Sequence, residues 1–185
     1  PGAWLQAFVE RGVDDVLAID AAGFERDRLR VAPEQFVPAD LTDLPRLERT
    51  FDLGLSLEAA HYAPASAAEG IVDALTGYAP VVYFSAAIPN QAGGLGLNRQ
   101  WPRYWSELFA ARGYRCADAL RFPLWEHPDV DWWYAQNGLL FVAENASGPE
   151  GTGPPLPLVH PQLFTEVAAP PVPPPARRRR LRLRR

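Results

Sequence analysis

Residues 2–20 read GAWLQAFVERGVDDVLAID, and the fold of the whole chain turns on them. Ala3–Arg11 places Trp4, Leu5, Phe8 and Val9 on one face of a helix, with Gly12 as the stop. Val16–Ile19 is then a short continuous apolar run, as in a parallel strand covered on both faces. Asp20 closes that run 18 residues after Gly2. A glycine, a helix, a buried strand and a terminal acid make the core of an α/β unit.

That spacing carries chemistry. In nucleotide-binding α/β folds an acid about 20 residues beyond the glycine loop accepts hydrogen bonds from a ribose. Most of the loop is absent here, because the sequence opens on Pro1-Gly2. With no methionine anywhere, the chain is expected to start partway through its own cofactor site, within a longer reading frame.

Further along, strands and helices alternate. Gln35–Ala39 reads as a short strand ending at Asp40, with Pro38 arguing against a central place in the sheet. Leu44–Arg49 suggests one or two helical turns. Phe51–Leu57 is a better strand, closing on Glu58. Residues 67–76 form a helix with Ile71, Val72 and Leu75 inward, stopped by Gly77. Val81–Ala87 is the most β-prone run, ended by Pro89, and a loop with Gly93, Gly94 and Gly96 follows. Trp101, Tyr104, Trp105, Leu108 and Phe109 recur at helical spacing, with Pro102 in the first turn and Gly113 at the end. Tyr114–Leu120 and Asn137–Ala143 are two late strands around an aromatic segment, Phe122–Tyr134. This order predicts an α/β fold, a Rossmann-like doubly wound and mostly parallel sheet with a late antiparallel strand pair.

Composition bounds the function. The chain has 185 residues, 48% of them apolar and 11% aromatic, enough for one domain with a core. No apolar run is long enough to span a membrane. A single cysteine, Cys116, excludes an internal disulfide framework and suits a reducing, cytoplasmic setting; as a strand residue it reads as a buried inert thiol. All 18 basic residues are arginine, and those in Arg177–Arg185 mask the charge of the rest, where arginines are outnumbered by 22 acids. An acidic body excludes a specific nucleic-acid binder. From Asn145 onward Gly, Pro and Ser dominate, Pro170–Pro175 is almost all proline and valine, and arginine ends the chain. The expected division is therefore a domain over 1–144 and a linker and disordered tail over 145–185, the tail attracting anionic partners non-specifically.

Pro1–Leu5, Val16–Asp20, Phe51–Glu58 and Val81–Pro89 resemble a class I S-adenosylmethionine-dependent methyltransferase. Pro1-Gly2 matches the last two positions of that family's glycine loop, commonly D-x-G-C-G-x-G. Asn98–Trp105, Gly113-Tyr114, Arg121, Trp125 and Trp133–Asn137 are similar to one bacterial branch, so the resemblance covers roughly residues 1–143. It implies that the family's first strand, central in its sheet, is missing. It implies S-adenosyl-L-methionine as cofactor, with Gly2 letting backbone approach the methionine part and Asp20 holding the ribose hydroxyls. Asp40 would accept from the adenine amino group, with Leu41 against the ring, and Ser56, Leu57 and Glu58 would line the site. Related sequences read S-L-E-x-x-E-H where this chain has Ser56-Leu57-Glu58-Ala59-Ala60-His61-Tyr62, moving the histidine by one residue.

If the acceptor is a hydroxyl, a general base helps the transfer, and His61 is the candidate. Trp101, Tyr104, Arg121, Trp125, Tyr134 and Asn137 suit a small-molecule or glycan-like acceptor, through aromatic faces and amides; the same aromatics also suit a core. The Gly93–Gly96 loop reads as a lid near that site. Ser85 lacks a hydrolase context, and His61, His127 and His160 lack metal-ligand spacing. Two rival readings remain open at this point. One is an NAD-dependent oxidoreductase, which also wants an acid after its second strand. The other is a non-catalytic module on a degenerate methyltransferase fold.

Overall fold

The computed structural model describes residues 2–22, 29–91 and 95–168. The N-terminal unit forms as its pattern dictates, with shorter elements. Helix α1 spans Ala3–Val9 and strand β1 spans Ala18–Asp20. Gly2 precedes the helix at φ 86°, in the left-handed region that glycine tolerates best. Strand β2, Phe36–Pro38, pairs parallel with β1, aligning Ile19 with Val37. Pro38 is tolerated because β2 lies at an edge, where its missing N–H breaks no inner ladder.

The remaining strands are β3 (Gly54–Leu57), β4 (Val81–Ser85), β5 (Tyr114–Ala117) and β6 (Leu139–Ala143). They form one sheet in the order β3-β4-β6-β5. The first pair is parallel, whereas β6 runs antiparallel to both β4 and β5. The fold is thus α/β with a mixed sheet, compatible with a Rossmann-like architecture. Among the described residues the sheet is split, β1-β2 standing apart from the four-stranded part.

Helix α2 (Ala68–Tyr78) buries Ile71, Val72 and Leu75 as its spacing requires. It runs past Gly77 and ends one residue later, so the glycine does not stop it. Helix α3 (Pro102–Ala110) begins on its proline and buries Trp105 and Phe109. Between one face of this sheet and α3 lies an aromatic core. Phe109 stacks on Phe141 at 3.9 Å between centroids, and Phe84 meets both edge-on. Cys116 is buried in β5 and burial pushes its thiol up to about 11, which makes it inert.

Two expectations fail here. Leu44–Arg49 forms no helix: the Pro45 carbonyl, which a helix would pair with the Arg49 N–H, instead accepts a 2.5 Å hydrogen bond from the Tyr78 hydroxyl. The stretch after Asn145 does not behave as a free linker up to Ala168. The Arg115 guanidinium donates to the carbonyls of Ala143, Ala146 and Pro149, and Asp118 N–H donates to the Thr152 hydroxyl. After the short helices α4 (Arg121–Leu124) and α5 (Trp132–Asn137), helix α6 (Pro161–Ala168) buries Leu163. The tail from 169 onward, like Gly93, Gly94, Arg26 and Arg28, lies outside the described residues.

Candidate functional site

A cavity of about 950 Å³ opens between β1 and β3. At the carboxyl ends of the strands its wall includes Gly2, Asp20, Leu41, Ser56 and Leu57. These come from four separate stretches of chain and converge because parallel strands bring their carboxyl ends to one edge. A Cβ built on Gly2 would come within 3.3 Å of Val31 and would force a strained φ, so only glycine leaves this rim open. Asp20 is exposed; its Oδ1 accepts from Ala21 N–H at 2.8 Å, which fixes the carboxylate and leaves Oδ2 for a ligand.

Asp40 and Glu58 are not in that wall. Asp40 folds back on its own turn, Oδ1 accepting from the hydroxyl and the N–H of Thr42 at 2.6 and 2.7 Å. Those two bonds hold its carboxyl below the ordinary carboxylate range. Glu58 sits between cavity residues Leu57 and Ala59, but at φ 51° it turns its side chain away. Its carboxylate accepts from Asn137 Nδ2 at 2.9 Å and Gln91 Nε2 at 3.0 Å. Burial pushes the Glu58 carboxyl above its ordinary value, against the opposing pull of its Asn137, Ser85 and Gln91 donors.

Glu58 is part of a larger polar cluster. Gln136 Nε2 donates to Asn137 Oδ1 and Gln91 Oε1, and Gln136 Oε1 accepts from His160 N–H at 2.8 Å. Gln91, Gln136, Asn137 and Ser85 are all buried. Tyr83 lies close by, its hydroxyl kept protonated by burial and then by Tyr134 and Glu58. Gln91 and Tyr83 were not singled out from sequence. Gln91 Oε1 accepts locally from Ile88 N–H, but its side-chain partners in the cluster lie 33 to 46 residues away along the chain, where no local signal points.

The expected catalytic base does not have a base's geometry. His61 lies in a one-turn 3-10 helix, Ala60–Tyr62, and is only 3% exposed. Its Nδ1 accepts a 3.0 Å hydrogen bond from Ala87 N–H, so in the neutral ring the proton resides on Nε2 and no lone pair is left. Burial, followed by the Arg99 charge, lowers its pKa from 6.5 to about 4. His61 is a structural link between the β3 and β4 ends.

The six expected acceptor residues do not converge. Arg121 is fully buried, its guanidinium paired with Asp118 and donating to the Leu156 carbonyl at 2.9 Å, so it is closed to a substrate. Trp125 packs against His160 at 4.9 Å. Trp101 caps α3 and is 41% exposed, while Tyr104 packs edge-on to Trp105 at 5.1 Å. Tyr134 and Asn137 share helix α5 (Trp132–Asn137) beside Glu58, and Tyr134 meets Trp4 of the cavity wall edge-on at 5.2 Å. No group of metal-binding side chains occurs among the described residues, and no described helix is long and apolar enough to cross a membrane. Compared with protein-family models, curated proteins and solved structures, the chain matches none.

Proposed function

We propose that this chain carries the donor-binding half of an S-adenosylmethionine-dependent methyltransferase that acts on a small-molecule or glycan-like acceptor. The observation that carries the reading is the convergence of Gly2, Asp20, Leu41, Ser56 and Leu57 on one cavity at the carboxyl edge of the strands. Its volume of about 950 Å³ falls within the range of small-molecule sites. The residue chemistry fits a nucleoside with an amino-acid arm. Asp20 offers a carboxylate oxygen to vicinal hydroxyls, Leu41 offers an apolar face to a base, and Gly2 leaves room for a polar arm against backbone. The reversal of β6 between β4 and β5 supports this reading over a nicotinamide oxidoreductase, whose open sheet is built from two parallel βαβαβ halves.

When bound, the sulfonium donor supplies an activated methyl group, and the transfer is an in-line displacement. The chain's own contribution is then to bind and align. Asp20 fixes the sugar, the rim at Ser56 and Leu57 closes the donor side, and the buried amides behind Glu58 hold that rim in place. Neither His61 nor Arg121 has a step in this scheme. Tyr134, beside Trp4, is the acceptor-side group nearest the cavity wall.

Calorimetric titration with S-adenosylhomocysteine and with NAD tests the reading. Asp20→Ala should weaken S-adenosylhomocysteine binding at least tenfold, the equivalent of about 1.4 kcal/mol. Tight NAD binding without S-adenosylhomocysteine binding, or an Asp20→Ala variant with unchanged affinity, overturns it.

A further inference from the structure

We propose that Asn98, His61 and Arg99 form an anion subsite beside the donor cavity, and that it takes the carboxylate of an acceptor whose apolar part lies on Tyr62, Leu97 and Trp101. The ligand is a methyl acceptor only if the methyl-transfer reading holds, whereas the subsite stands on its own donors.

Asn98 carries a donor without an acceptor. The residue is only 2% exposed, and its Nδ2 is buried with no hydrogen-bond partner among the described residues. Its Oδ1 accepts from Gln100 Nε2 at 3.0 Å, which fixes the amide's orientation, because turning it over would set two N–H groups against each other. A buried amide N–H that no protein group accepts has lost its hydration uncompensated, so the position is built for an oxygen that arrives from outside. Asn98 N–H donates to the His61 carbonyl at 3.0 Å, which locks the two residues side by side. His61 Nδ1 is taken by Ala87 N–H, so the ring presents its Nε2 proton as a second donor.

The local charge has the matching sign. After burial, the Arg99 charge is the second cause that holds His61 low, at about 4, so His61 stays neutral and Arg99 supplies the positive charge. Glu58, the acid nearest to His61 along the chain, is already held by Gln91 and Asn137. Helix α3 starts just beyond, at Pro102, with no side-chain cap from Trp101, and its positive end adds to the same field. Two neutral donors and one cation suit a singly charged, two-oxygen group, a carboxylate, better than a doubly charged phosphate. The surroundings choose what carries it. Tyr62, Leu97 and Trp101 are 48%, 64% and 41% exposed, so the donors lie beneath an apolar rim whose side chains a ligand parts on entry. Tyr62 also lines the donor cavity, and its ring meets the His61 ring at 4.3 Å, so the subsite adjoins the donor. An apolar body with a carboxylate end fits such a rim and floor, as small-molecule sites combine apolar walls with a few polar anchors.

Benzoate is the probe. Titrated at neutral pH and constant ionic strength into the isotope-labelled 185-residue chain, it should saturably shift the Asn98 side-chain amide and His61 ring resonances in NMR spectra. Benzyl alcohol, its neutral counterpart, and inorganic phosphate should bind at least about tenfold more weakly. Asn98→Leu removes the donor without burying a charge, and Asn98→Asp keeps the bond from Gln100 but sets an acid against the ligand. Each should weaken benzoate binding at least about tenfold. The titration of the unsubstituted chain stands whether or not a variant folds. Benzoate that leaves both resonances unmoved overturns the proposal, as does equal binding of phosphate or an unchanged benzoate affinity in a folded variant. Titration of the same samples with S-adenosylhomocysteine reads the donor separately. Donor binding without benzoate binding removes the subsite alone, and benzoate binding without donor binding keeps the carboxylate site and removes the methyl-transfer reading.

Discussion

The four-stranded sheet and the β1–β2 pair come from similar sequence and end in different states. Both use short apolar runs closed by an acid and flanked by an amphipathic helix. In the first, Val82, Phe84 and Phe141 are all but fully buried, and α3 seats Trp105 and Phe109 on that face. In the second, α1 buries nothing, Trp4 and Val9 are exposed, and Ile19 is only partly covered. The difference teaches that an element's type is written locally, whereas its burial depends on neighbours that only the whole sheet supplies. Two strands alone are marginal in water; four strands with a covered face are not.

The sharpest way to break that contrast is truncation on each side. Phe141→Ala removes a ring stacked on Phe109 and touched by Phe84, and should cost about 3–5 kcal/mol of unfolding free energy in urea. Phe8→Ala, on a helix with no buried residue, should cost less than about 1 kcal/mol. Equal losses would mean the two regions share one core.

Gly138→Ala probes the packed side more finely. A Cβ there would sit 2.5 Å from the Tyr83 hydroxyl and 2.7 Å from the Tyr134 carbonyl, at the turn from α5 into β6. The backbone carbonyl cannot swing away as a side chain can, so a loss of about 1–3 kcal/mol is expected. Calorimetric melting checks it; a variant as stable as the parent would show slack in this turn.

What was legible in the sequence follows the same division. Spacing alone gave α3, because Trp105 and Phe109 recur on the face that meets the sheet. It also gave Asp20 at a strand end beside Gly2, because a strand, its closing acid and the preceding glycine are local signals. The helix expected over Leu44–Arg49 fails at Pro45, whose carbonyl is claimed by Tyr78 from 33 residues away. The tether of residues 145–160 was invisible for a related reason. Its donors, Arg115 and Arg121, belong to the body, and the segment's own composition carries no trace of them. Likewise nothing near Glu58 announces Gln91 or Asn137 as its partners.

Two titrating groups on the packed side give opposite pH signatures. The folded value of His61, about 4, lies below its ordinary 6.5, so between these the unfolded chain binds the proton more readily. The stability it contributes rises with pH across that window and is complete above 6.5. Glu58 has the reverse sign: its folded value lies above 4.5, and its contribution falls as pH climbs from there through the folded value. His61→Gln should flatten the rise, and Glu58→Gln should remove the fall, both read from urea midpoints across the acid range. A His61→Gln variant that keeps the full rise would mean that other groups produce it.

The smallest effect tests the joint between the two regions. Arg49 reaches across to Asp15 and lies 4.3 Å over the Phe51 ring, but both partners of the ion pair are largely exposed. Water screens such a pair, and holding two long side chains together costs entropy, so Arg49→Ala should cost no more than about 1 kcal/mol, less at high salt. Where the loss falls matters more than its size. If β1–β2 is held to the rest chiefly through the open cleft's edges and this bridge, faster amide exchange should appear at Ile19 and Val37 while Phe84 and Phe141 keep their protection. Exchange that quickens evenly across both sheets would instead show that the β1–β2 pair opens only when the whole domain does, and the contrast drawn between them would then be one of packing without one of stability.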